Sequence, residues 1–312
     1  MVKKEKINNN YDIRLTNDLI FYLVFGAETE ESNKALTALL NVVLERKSDP
    51  IVDVSIVNTV HKGFQPGDKG TVMDIRAESD LGETYDVEMQ RGSLAFFENR
   101  ALVYGAIMVN SSLAKGDNYD KIKKNVVISF IDGLMFPGIP DLHTEFKMRE
   151  QKWNISLTDR LSIHFLELGK VDDRMSLSDL SPLERFCAYL KYAGDDTKED
   201  FVNELLETGE EAIVMSEHVF RKITEDESLQ DLLRRQDLAE HDNATRMMLM
   251  EREATKRGLE QGLERGLEQG IAALILDNIE DGKTKAQILD KLQHRFNLDA
   301  QKAAYYYNKY NI

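Results

Sequence analysis

The chain has 312 residues, 42% hydrophobic and 30% charged, enough for one sizeable core with extra helical material and typical of a water-soluble protein. Its net charge of −15 is uneven: residues 1–170 hold 21 basic and 25 acidic side chains, and residues 171–312 hold 19 and 30, which argues against tight non-specific binding of nucleic acid. A single cysteine, Cys187, excludes a disulfide scaffold within the chain, and with six scattered histidines no zinc pattern can be drawn.

The longest apolar runs, such as VVISFI at 126–131, are too short to span a bilayer. The start, MVKKEKINNNYD, leads into no apolar stretch, so the expectation is no signal peptide, no membrane partner and a reducing cytoplasm.

In chain order, 16–26 and 32–45 read as helices, capped by Thr16 or Asn17 and by Ser32 or Asn33. A strand follows over 54–60. GFQPGDKG at 63–70 is a loop; a strand comes after it instead of a helix, so it fails as a phosphate-binding loop.

The stretch 71–90, TVMDIRAESDLGETYDVEMQ, alternates apolar and polar residues on both sides of a turn at 79–82. Met73, Ile75 and Ala77 share one face, and Asp74, Arg76 and Glu78 the other. A hairpin centred on Leu81 sets Asp74 across from Glu88 and Arg76 across from Asp86. Opposed like charges destabilise a sheet, so two facing carboxylates ask for a cation. Taken alone, the pattern also describes the solvated acidic face of an ordinary hairpin.

Residues 93–114 read as a long helix lying across the sheet, with Arg100 and Tyr104 on one helical face. Strands are expected at 126–131 and 161–168, which gives an α/β fold with a mixed sheet flanked by helices. From about 174 the pattern is helical with acidic faces, and Cys187 reads as a small buried apolar residue. GLEQGLERGLEQG at 258–270 sets four glycines on one helical stripe beside Leu259, Leu263 and Leu267. It reads equally as a helix–helix contact or a linker. The basic segment 283–312 looks like a helical hairpin around Asn297-Leu298.

The ordered set NDLIFYLVFG at 17–26, LTALLNVVL at 36–44, the hairpin, the segment 97–132 and LTDRLSIHFLELGKV at 157–171 resembles the PD-(D/E)XK nuclease superfamily. Within it, the chain is most similar to the bacterial recombination-promoting nuclease and transposase branch. The likeness spans about the first 170 residues. It implies a nuclease-like domain over 1–172; charge and helical pattern then set off an acidic helical region over 173–254, the repeat as helix or linker over 255–282 and the small basic hairpin over 283–312.

The resemblance further implies a metal-dependent DNA endonuclease. Mg²⁺ or another hard divalent cation would be held by Asp74, Glu88 and the Met89 carbonyl, with Gln90 orienting water. Arg100 and Tyr104 would contact substrate, and Asp18 is an accessory candidate acting through water. DNA is the implied partner, with a homodimer for double-strand cutting. Met73 stands where the superfamily has proline, Gln90 where it has lysine, and Tyr22 where the branch often has lysine. The alternative is a nuclease fold with weak or no catalysis, serving as a DNA-binding or assembly module. Strand transfer rests on the family's naming alone.

Overall fold

The computed structural model describes residues 12–57, 74–226 and 228–311. Residues 58–60 of the expected first strand, the loop at 63–70, His61 and Met73 lie outside them. Six strands form one sheet: β1 (Val54–Ile56), β2 (Ile75–Ser79), β3 (Thr84–Gln90), β4 (Asn125–Ile131), β5 (His143–Lys147) and β6 (Leu161–Glu167). Their order is β1-β2-β3-β4-β6-β5. β1, β2 and β3 are antiparallel neighbours, β3, β4 and β6 run parallel, and β5 returns antiparallel to β6. The fold is therefore mixed α/β.

Every residue of β4 and β6 is buried. Parallel strands are covered on both faces, so the polar Ser162 and His164 lie inside beside Leu161, Ile163 and Phe165. β5 was not expected. It is an edge strand with only one large apolar residue, Phe146, itself 45% exposed, so it carries no alternation to detect.

Helices α1 (Asp18–Phe25) and α2 (Glu30–Val43) cover one face. Asn17 caps α1, accepting from the amides of Leu19 and Ile20 at 3.0 and 3.3 Å. The cap of α2 is Thr29, whose Oγ1 accepts from the Ser32 amide at 3.1 Å, so the expected cap residues Ser32 and Asn33 sit inside the helix. Phe21, Phe25, Leu36 and Leu40 pack there on Tyr85, Val87, Ile128 and Phe130. Burying an aliphatic or aromatic side chain contributes roughly 1.5–3 kcal/mol, which anchors both helices.

The opposite face is covered by α3 (Phe97–Ser111). Phe97, Ala101 and Met108 pack on Val127, Ile131, Ile163 and Phe165. Successive residues of a strand point to opposite faces, so Asp86, Glu88 and Gln90 of β3 share the α3 side.

α4 (Pro182–Tyr192), α5 (Glu199–Glu207) and α6 (Glu211–Thr224) bury Leu183, Phe186, Cys187, Leu205, Ile213 and Phe220 in the same core as α1 and α2. The acidic helices after residue 172 are thus continuous with the packing of the sheet. The chain divides into two compact units, one through Leu238 and one from Ala239.

α7 (Ser228–Glu280) is continuous through the glycine repeat, which is helix and not an irregular linker. In the second unit, Ile271 and Ile275 of α7 pack with Ile288 and Leu292 of α8 (Lys285–Phe296) and with Ala303 and Tyr307 of α9 (Ala300–Tyr310). Asn297, at φ 50°, ends α8, and Asp299 caps α9. No described helix is long and apolar enough to cross a membrane.

Candidate active site

The register of β2 with β3 pairs Ile75 with Val87 and Arg76 with Asp86. One residue further, Asp74 falls opposite Glu88. Glu88 is 5% exposed, and its carboxyl is pushed well above the ordinary carboxylate range, by burial first and by the Asp74 charge next. The parallel register sets Ser129 beside Glu88, and the Ser129 hydroxyl donates to Glu88 Oε1 at 3.1 Å.

α3 brings Arg100 onto this face. Its Nη2 donates to Glu88 Oε2 at 3.1 Å and also to Gln90 Oε1. The guanidinium lies 4.4 Å from the Phe97 ring centroid and 6.0 Å from that of Tyr104. Tyr104 is pushed up to about 12, by burial first and by Asp74 next. Asp74, Glu88, Gln90, Arg100 and Tyr104 therefore come together, drawn from two strands and one helix.

Gln90 is more engaged than a water-orienting amide would be. Its Nε2 donates to the carbonyls of Arg91 at 2.8 Å and Ser93 at 3.2 Å, while its oxygen takes Arg100. It ties the turn after β3 to the guanidinium. Met89, 7% exposed, turns its side chain to the opposite core and pairs with Phe130 of β4.

Asp18 lies elsewhere in its bonding. Its Oδ1 accepts from the Leu19 amide at 2.9 Å and from Gln236 Nε2 at 2.5 Å, and neither bond reaches the Asp74–Glu88 face.

Three further residues belong to the site. Asp86 is 1% exposed, and neither carboxyl oxygen has a hydrogen-bond partner. Arg76 Nη2 is 3.8 Å away, beyond hydrogen-bond reach. Burial first, then the Asp74 charge, pushes Asp86 up to about 7. Two-residue spacing from Glu88 already puts Asp86 on the site face, and the pairing with Arg76 disguised it as a satisfied ion pair. The only sequence signal for Ser129 is its place as the one polar residue inside VVISFI.

The donors facing this surface are oxygens, which suit hard cations such as Mg²⁺ or Mn²⁺. Among the described residues, no three His, Cys, Asp or Glu side chains form a ready metal cage. The fit is with facing carboxylates of which Glu88 is buried and disfavoured in its charged form by that burial and by Asp74. Two clefts of about 290 and 460 Å³ lie elsewhere, one between α2 and the starts of α4 and α6, the other lined by His143 and His164.

A mixed sheet with paired acids on its β2–β3 hairpin, and Arg100 of α3 brought against them, fits a nuclease-type α/β fold. The family model described as PD-(D/E)XK nuclease family transposase matches residues 15–249, and the chain belongs to that family. No curated protein and no solved structure matches it.

Proposed function

We propose that this chain hydrolyses DNA phosphodiester bonds with Mg²⁺ or a similar hard divalent cation held by Asp74, Glu88 and the Met89 carbonyl. The observation that carries the reading is Glu88, buried opposite Asp74 and bridged by Arg100 to Gln90. Membership of a nuclease family supports DNA as the substrate. A cation bound there supplies charge to polarise the phosphate and to acidify water. Arg100, 39% exposed at its side chain, offers guanidinium N–H groups to phosphate oxygens and replaces the lysine this site lacks. Gln90 positions Arg100, and Tyr104 stays protonated as a hydrogen-bond donor.

The second reading, a nuclease fold with weak or no catalysis that serves as a DNA-binding or assembly module, is favoured by the absence of that lysine. A plasmid-nicking assay with Mg²⁺ or EDTA separates the two. Metal-dependent nicking that disappears in both Asp74→Ala and Glu88→Ala supports hydrolysis, and full activity in Asp74→Ala removes the site assignment. The same reading takes the chain as a homodimer through α7, where Leu259 and Leu263 are 74% and 75% exposed. Light scattering tests this: equal oligomeric states before and after truncation at Glu253 exclude it.

A further inference from the structure

Asp86 is a buried carboxylate of the site face that the proposed chemistry leaves unused. Both oxygens of Glu88 have donors, Ser129 and Arg100, whereas both oxygens of Asp86 are buried without any. A buried carboxylate without hydrogen bonds costs several kcal/mol. Protonation would remove the charge but leave a hydroxyl with no acceptor. Arg76, at 3.8 Å, offsets the charge in part without bonding to it.

Counting charges on the face points the same way. When all three are ionised, as beside a bound cation, Asp74, Asp86 and Glu88 face Arg76 and Arg100, leaving one negative charge. One divalent cation turns that into one positive charge, matched to a phosphodiester.

We propose that Asp86 is the third carboxylate of the divalent-cation site, acting on the ion alongside Asp74 and Glu88. This rests on the metal-dependent reading above. The three acids form no ready cage. Mg²⁺ keeps several of its waters, and a carboxylate set back along the strand serves the ion by accepting from them.

The test is calorimetric titration of Mn²⁺ into the full chain, wild type and Asp86→Asn, with melting temperatures in EDTA. Asparagine keeps the shape and removes the charge. The expected result is a 10–100-fold weaker Mn²⁺ affinity, the usual effect of losing such a partner, with a melting temperature in EDTA equal to or above that of wild type. Wild-type Mn²⁺ affinity in Asp86→Asn overturns the inference and leaves the Asp74–Glu88 site standing. A lower melting temperature in EDTA also overturns it, because the carboxylate is then part of the scaffold. No Mn²⁺ binding by the wild type defeats the metal site itself and this inference with it.

Discussion

Arg100 changes what a substitution at Gln90 should do. From sequence, lysine at 90 restores the cation the superfamily carries there, and activity should hold or rise. In the structure Gln90 accepts from Arg100, so an ammonium at 90 meets a guanidinium head-on and loses the bonds to Arg91 and Ser93. We predict that Gln90→Lys lowers the Mg²⁺-dependent nicking rate at least about tenfold, roughly 1.4 kcal/mol in the barrier; a rate at or above wild type refutes this. The Asp74–Glu88 pairing was legible because period-two alternation and a tight turn fix the register locally. The bridge from Arg100 was not, because it reaches a strand from a helix whose placement depends on β4 and β6. The isolation of Asp86 was hidden too, since register alone cannot tell a bonded Arg76 from one at 3.8 Å.

Between elements, the approach of α3 to the sheet is set at Gly105. A Cβ there would stand 2.8 Å from Leu161 Cδ1 and 3.5 Å from Val127 Cγ2. The first atom ends a flexible side chain, so Gly105→Ala should be tolerated. Gly105→Phe should cost about 1–3 kcal/mol in urea unfolding and reduce nicking by shifting Arg100 and Tyr104; wild-type activity in that variant would mean α3 is not a rigid arm. On the other side of the sheet, β5 and β6 meet through His143 Nε2 and His164 Nδ1, 2.9 Å apart, with His164 Nε2 bonded to the Ser162 hydroxyl and 3.6 Å from Glu145. Burial, first among the causes, holds both histidines below their ordinary range. The unfolded chain therefore binds protons more readily near pH 6.5, and the pair's contribution is present above that pH and lost as pH falls below it. Asp86 and Glu88, held above their ordinary range, act in the opposite sense, so the readout is a difference: from pH 7 to pH 5, His164→Gln should gain about 1–2 kcal/mol of stability relative to wild type. A difference that stays constant with pH would assign the effect to other groups. The edge strand carrying His143 escaped the sequence reading because an exposed strand needs no apolar alternation, whereas β4 declares itself as a short apolar run and β6 by the alternation of Leu161, Ile163 and Phe165.

Across the whole molecule, two cores imply two separable stabilities. Leu292 lies in the small terminal core with Ile271, Ile275 and Tyr307. Leu292→Ala should lower the stability of that unit by about 2–5 kcal/mol and leave nicking at its wild-type rate; calorimetry beside the nicking assay checks both, and a fall in nicking would tie the tail to catalysis. The sequence announced the tail through its change of charge and its Asn297 break. It did not announce that the acidic helices after 172 complete the first core, because their buried stripes look the same whether they meet each other or a sheet. The position of Arg100 on α3 also carries a temporal consequence. The hairpin bearing Asp74 and Glu88 is local and can close within about 1–10 μs. Arg100 is held in place only when Phe97 and Ala101 find Ile163 and Phe165. During synthesis, at about 5–20 residues per second, the ribosome takes roughly 4–15 s to pass from Glu88 to Phe165. For that interval the nascent chain carries opposed acids without the Arg100 guanidinium, and Arg76 of the same hairpin and dissolved cations are the counter-charges within reach.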